Sequence, residues 1–215
     1  IMGFLLVPLY TNYLTTAEYG IADMLSTILN ILVPILSIDI ADGVIRYVLD
    51  SRDETSSVLL IAIRTIAIGS IVLFLLLIGI KITGLLNISD FYFVFLFLSF
   101  IFTCLYNTFV NYLKGKERIR VLVIAGLMCS LLNAGCNILF LTQLRWGVNG
   151  YLLANIISTA IPMMYLVICA WHYKYLKIAG LKIDKALQKE MIVYSAPLIL
   201  NGLAWWLNNS LDRIF

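Results

Sequence analysis

Long apolar runs separated by short polar stretches recur from one end of this chain to the other, and their length decides what they are. About 20 mostly apolar residues in helical form cross about 30 Å of hydrocarbon. Runs of that kind predict membrane-spanning helices over 21–45, 58–80, 91–113, 121–142, 150–171 and 191–215. A shorter run, 1–14, precedes them and reaches only about 21 Å as a helix. It reads as the tail of a helix that starts before Ile1, and Phe215 stops within or just after the last one. The expectation is an N-terminal portion of a larger protein. The first run lacks the basic start and small-residue cleavage site of a signal peptide.

Polar residues within these runs fall at helical spacing. Asp23, Thr27, Asn30, Pro34 and Ser37 share one face of the second helix, and Asp39, Asp42 and Arg46 form another stripe beyond Pro34, which is predicted to kink the helix. Arg64 lies inside the third helix. Ser99, Thr103, Asn107 and Asn111 repeat at steps of four in the next. Ser130, Asn133 and Asn137 follow, then Asn155, Ser158 or Thr159, and Pro162. Asn201, Trp205, Asn208 and Asp212, with Arg213 beside it, mark the last helix. Such groups are costly in hydrocarbon, so they either glue helices together or surround a shared wet volume.

Composition strengthens the membrane reading and narrows the chemistry. The chain is 62% apolar and 13% charged, with mean hydropathy +0.98, which excludes a soluble domain. Lys and Arg alternate between loops: Lys81 and Arg145 are the basic residues of the odd loops, whereas the even ones hold Arg46 and Arg52, then Lys114, Lys116, Arg118 and Arg120, then Lys174, Lys177, Lys182, Lys185 and Lys189. Positive-inside logic puts the even loops and the N-terminus in the cytoplasm of a multi-pass protein of the cell membrane. The basic loop "KGKERIR" lacks the stacking aromatics and motifs of nucleic-acid binding. Cys104, Cys129, Cys136 and Cys169 sit inside apolar runs without metal-ligand spacing. His172 is the only histidine, and no P-loop, nucleophile elbow or zinc motif appears, so no enzyme site, metal or cofactor is expected.

The sixth loop has apolar residues between its lysines, the pattern of an amphipathic helix on the inner interface. The predicted organisation is a transmembrane lobe over 1–171, a cytoplasmic linker over 172–190, and the first helix of a second lobe over 191–215.

The stretches "LLVPLYTNYLTTAEYGIADML", "ILVPILSIDIADGVIRYVLD" and "YSAPLILNGLAWWLNNSLDRIF" resemble, in order and spacing, the first, second and seventh helices of Wzx-type polysaccharide repeat-unit flippases. These belong to the multidrug/oligosaccharidyl-lipid/polysaccharide exporter superfamily. The positions that align are Pro8, Gly20 after "AEY", the "DGVIRY" run with Arg46, and the "NNSLDR" run with Asp212 and Arg213. The resemblance covers the whole chain and implies an all-α, polytopic, MATE-like helix bundle whose N-terminal lobe of six helices, plus the start of the second, is present here.

It further implies a substrate: an oligosaccharide linked through pyrophosphate to a polyprenol, moved by alternating access, with membrane lipid, a polysaccharide polymerase and glycosyltransferases as associated partners. On that reading Arg46 and Arg64 attract the pyrophosphate, Asn107, Asn137 and Asn208 contact sugar, and Trp205 stacks or packs. Asp39, Asp42, Asp212 and Arg213 couple an ion or gate the transporter. The alternatives are a cation-coupled multidrug exporter on the same architecture, a membrane-embedded glycosyl or acyl transferase, and a purely structural membrane protein.

Overall fold

In the computed structural model the described residues are 2–50, 55–84, 89–173, 175 and 184–211, and every regular element among them is helical. Helix α1 (Met2–Tyr13) leads through a tight turn into α2 (Thr16–Ser37). Thr15 caps α2 reciprocally: its hydroxyl accepts the Glu18 N–H at 3.3 Å and Glu18 accepts the Thr15 N–H at 2.9 Å. Then come α3 (Ile40–Asp50), α4 (Thr55–Thr83), α5 (Asp90–Gly115) and α6 (Ile119–Ile138), which ends in a wider π-type turn, Leu139–Gln143. Helix α7 (Gly147–His172), α8 (Lys185–Ser195) and α9 (Leu198–Leu211) complete the order.

Helices α2, α4, α5, α6 with its wide turn, and α7 are each long and apolar enough to cross a membrane. The chain is an all-α, multi-pass membrane protein. Helix α5 is its axis, touching α2, α3, α4, α6 and α7. Phe100, Tyr112 and Leu113 of α5 are fully buried against the apolar sides of α3, α4 and α7, where Val44, Val58, Ile61, Leu152 and Leu166 are equally enclosed. Outward faces are the reverse of a soluble protein's. Ile71 and Leu75 of α4, Val123 and Leu127 of α6, and Met164 and Ile168 of α7 are all exposed, as a hydrocarbon solvent requires.

The second predicted span is two helices, and its break is not at Pro34. Helix α2 runs through Pro34 to Ser37 and ends where Ile38 and Asp39 both take left-handed backbone, φ 55° and 46°. The Asp39 N–H returns to the Pro34 carbonyl at 3.0 Å, so the chain closes its own break before α3 begins. The last predicted span is interrupted too, at Ala196–Pro197 between α8 and α9, where Ala196 keeps right-handed backbone and Pro197 follows.

The two interrupted segments pack together. Gly43 of α3 faces Ser195 of α8, so closely that a β-carbon on Gly43 would collide with the Ser195 hydroxyl. On the other side of both breaks, a β-carbon on Gly202 of α9 would lie 3.3 Å from Pro34 Cβ and 3.7 Å from Asp39 Oδ2. Within the predicted linker 172–190, residues 174 and 176–183 lie outside the described ones, and α8 starts at Lys185, with Asp184 capping the Ala186 N–H at 2.8 Å.

Candidate functional site: a polar cavity between three helices

Helical spacing brings polar positions to one side of a helix; neighbouring helices decide what that side meets. The stripes of α2, α5 and α7 meet one another. They enclose a cavity of about 330 Å³. Ser26, Asn30 and Pro34 come from α2, Ser99, Thr103 and Asn107 from α5, and Tyr151, Asn155 and Thr159 from α7, with Leu29, Val33, Phe95 and Ile156 filling between them. The wall runs from Phe95 and Tyr151, early in α5 and α7, past the midpoint of α5 to Asn107 and to Pro34 near the end of α2.

The hydrogen bonding of this wall separates it from helix glue. Ser26 donates to the Ala22 carbonyl at 2.8 Å and Thr159 to the Asn155 carbonyl at 3.0 Å, which leaves hydroxyl lone pairs to accept from a solute. Asn30, Thr103 and Asn107 make no side-chain hydrogen bond among the described residues, and Ser99 Oγ is buried without a partner. Unpaired amides and hydroxyls cost several kcal/mol each, of the order of 2–7, in an apolar medium. They are stable here only if the cavity holds water or a hydroxyl-bearing solute.

Behind the wall lies a second polar layer. Asn133 of α6 donates to Asn155 Oδ1 at 3.0 Å and to Ser158 Oγ at 3.2 Å, and Asn137 Nδ2 donates to the Asn133 carbonyl at 2.8 Å. Asn155 thus has its oxygen engaged from behind while its amide nitrogen is left for the cavity. At one margin Tyr151 meets Tyr10 of α1 edge to face, ring centroids 5.1 Å apart, and Tyr10 borders a further recess of about 480 Å³ with Thr11, Tyr19 and Asp23.

The residues singled out in the sequence scatter relative to this cavity. Asn107 stands on its wall and is exposed to it. Asn137 is fully buried in the layer behind. Asn208 is exposed on α9, and Trp205 belongs to the same helix. Arg64 is exposed on α4, and Arg46 is exposed on α3; neither is on the wall. Arg64 belongs to α4 and Arg46 to α3, and neither helix contributes a residue to the wall, so neither arginine joins Asn107.

The Arg46 guanidinium packs over the Tyr194 ring of α8, 4.2 Å from its centroid, with Asp50 Oδ2 3.8 Å from its Nε. Asp39 sits in the turn between α2 and α3, beside Gly202. Asp42 accepts from Asn111 Nδ2 at 3.0 Å, and the same amide donates to the Ala41 carbonyl at 2.9 Å, tying α3 to the end of α5. Asp212 and Arg213 lie outside the described residues. The contribution of Ser26 and Tyr151 was not read from the sequence. Tyr151 falls one turn before Asn155 on the same face of α7, a spacing that contained the signal.

A bundle of apolar helices around a neutral, hydroxyl- and amide-lined cavity is the geometry of a carrier for polar solutes, and comparison with known families decides its kind. A family profile described as polysaccharide biosynthesis protein matches residues 1–215. The chain belongs to the polysaccharide biosynthesis protein family. That family is the one of Wzx-type polysaccharide flippases, so the role of this member is flippase or transporter in polysaccharide biosynthesis, working on a saccharide substrate in the membrane. Neither curated proteins nor solved structures gave a match.

Proposed function

We propose that this polysaccharide biosynthesis protein translocates polyprenyl-pyrophosphate-linked oligosaccharide repeat units across the cytoplasmic membrane by alternating access. The observation that carries the reading is the cavity wall: Asn30 of α2 and Thr103 and Asn107 of α5, uncharged and unpaired among the described residues, converge on one volume. Sugar hydroxyls both donate and accept, and amides and hydroxyls answer both roles. A headgroup moving through such a space exchanges water for protein groups without facing hydrocarbon, while its polyprenyl tail stays in the bilayer.

Loop charge supports a cytoplasmic N-terminus, with the basic ends of α3, α5, α6 and α7 facing the cytoplasm. In that orientation Arg46 and Arg64 meet the pyrophosphate on the loading side, Arg46 from its seat on Tyr194. Residues 1–171 form the N-terminal lobe and α8–α9 open the next, so the contacts of α3 with α8 and of α2 with α9 are where the lobes rock. Asn208 of α9 contacts sugar in the other half of the cycle, a role shared with Trp205 of the same helix. Asp39, half-buried at the α2–α3 break beside Gly202, and Asp42 are the carboxylates that couple an ion or hold one state; Asp212 and Arg213 complete that role on the second lobe.

The multidrug exporter reading needs a carboxylate on the cavity wall for a cationic drug, whereas the wall is neutral. The test is reconstitution of the full-length protein in vesicles loaded on one face with lipid-linked oligosaccharide. Asn107→Leu combined with Asn30→Leu abolishes most translocation if the reading holds. Unchanged translocation in that double variant, with wild-type protein active, sinks it.

A further inference from the structure

The turn between α5 and α6 lies outside the cavity and has a chemistry of its own. It carries Lys114, Lys116, Arg118 and Arg120 against one acidic residue, Glu117. Membrane topology asks only that such a loop be positive and places no demand on where its side chains point. Here one of them is held. Arg118 Nε donates to the Tyr175 hydroxyl at 3.0 Å, and its guanidinium carbon lies 4.5 Å from the centroid of the Tyr173 ring. Tyr173 and Tyr175 stack at 5.7 Å, Lys116 Nζ lies 5.5 Å from the Tyr175 ring, and Tyr175 abuts buried Tyr112 at 6.2 Å. The backbone fixes the same geometry, with Glu117 at φ 57° and the Arg118 N–H returning to the Leu113 carbonyl at 3.0 Å.

Arg118 is therefore anchored through Nε and one face, and its two terminal amino groups make no hydrogen bond among the described residues. With Arg120 they border a recess of about 410 Å³, closed by Glu117, Ile119, Val121 and Tyr173. From there the lipid-facing stripe of α6 continues at steps of four through Ile119, Val123 and Leu127, which are 66%, 56% and 58% exposed. Trp171, 71% exposed at the end of α7, adds an interfacial anchor two residues before Tyr173. A fixed cationic fork that gives onto an apolar stripe complements one kind of molecule, an anionic headgroup carried on hydrocarbon chains.

We propose that the Arg118–Arg120 recess binds the headgroup phosphate of an anionic diacyl phospholipid, with its acyl chains along Ile119, Val123 and Leu127. The placement rests on the orientation given under the proposed function, which sets this turn in the inner leaflet; it does not rest on which glycan is carried. Bidentate donation from the terminal nitrogens of Arg118 supplies direction, Arg120 supplies further charge, and the tyrosine pair keeps the fork from turning away.

The test is native mass spectrometry of the full-length protein released from nanodiscs of phosphatidylcholine containing phosphatidylglycerol. Wild type retains phosphatidylglycerol over phosphatidylcholine by about tenfold, Arg118→Gln brings the two close to parity, and Tyr173→Leu, which changes no charge, lowers the preference about threefold. The pair Lys185→Gln and Lys189→Gln, which removes charge from α8 instead, leaves the preference unchanged. If that pair lowers it as much as Arg118→Gln does, or if Tyr173→Leu has no effect, diffuse surface charge explains the retention and the site is refuted. Displacement of bound phosphatidylglycerol by an equimolar polyprenyl diphosphate assigns the recess to the transported lipid and likewise overturns the proposal. The readout is binding alone, so a failed translocation assay leaves it standing.

Discussion

The Arg46 guanidinium lies over the Tyr194 ring, its carbon 4.2 Å from the ring centroid, across the contact between α3 and α8. A cation over an aromatic face contributes about 0.5–2 kcal/mol, the upper end when desolvated. The Arg46 side chain is 53% exposed, which places this pair toward the lower end. A double-mutant cycle with Arg46→Gln and Tyr194→Leu, followed by thermal unfolding in detergent, should return a coupling of about 0.5–1 kcal/mol. Tyr194→Phe should keep most of it, because the ring remains. Additive single effects in the cycle contradict the contact.

Gly43 and Ser195 make the closest approach along the same contact, and Ser195 is fully buried. Gly43→Ala should destabilise the protein by about 1–3 kcal/mol, the usual cost of overpacking. The colliding atom is the Ser195 hydroxyl, with the Ser195 β-carbon 3.8 Å away in ordinary contact. Adding Ser195→Ala should therefore restore stability. Failure of that second substitution to rescue would place the clash elsewhere.

Asn133 holds Asn155 from behind through a 3.0 Å bond and Ser158 through one of 3.2 Å. Asn133→Ala should cost about 1 kcal/mol in stability, the scale of an interhelical hydrogen bond in a membrane. It should also slow translocation, since the Asn155 amide loses its fixed direction. Asn155→Ala should slow translocation at least as much. A variant of Asn133 that unfolds more readily yet transports at the wild-type rate confines its role to packing.

Glu18 and Thr15 close the start of α2 by bonding each other's backbone. Thr15→Ala should lower stability by about 1 kcal/mol, and Thr15→Ser or Thr15→Asp should retain most of the cap. Denaturation midpoints of the three variants check this directly.

Single replacements on the cavity wall should act on transport rather than folding. Asn107→Leu removes an unpaired amide, and the loss of one hydrogen bond to a solute, about 1–1.5 kcal/mol, corresponds to roughly a five- to tenfold slower translocation. Asn107→Ser should be milder. Vesicle translocation and thermal unfolding measured on the same preparations separate the two effects.

The stripes of α2, α5 and α7 were legible because a period of three and four residues fixes angle about a helix axis. What periodicity cannot supply is the neighbour at that angle. Asn107 and Asn111 share a stripe, yet the first meets the cavity and the second meets Ala41 and Asp42, because α3 crosses the end of α5 there. Asn133 and Asn137 belong to a comparable stripe on α6, and they face α7 instead of open space.

The break after Ser37 was hidden for another reason. Proline gives the strongest local signal, so Pro34 drew the expected kink, whereas the interruption falls on Ile38 and Asp39, and a β-branched residue such as Ile38 is disfavoured in left-handed backbone. Close packing of α9 at that level, through Gly202, is a contact between segments remote in sequence. The pairing of Arg46 with Tyr194 and the anchoring of Arg118 by Tyr173 and Tyr175 are remote in the same way.

The wall of the cavity has a consequence for selectivity. Ser99, Thr103 and the amides can each serve a donor or an acceptor by rotating a bond, and no fixed charge stands among them. A lining of that sort tells axial from equatorial hydroxyls poorly and tolerates glycans of differing stereochemistry. On the proposed function, discrimination between cargoes then falls to the phosphate, which a planar guanidinium can clasp bidentately.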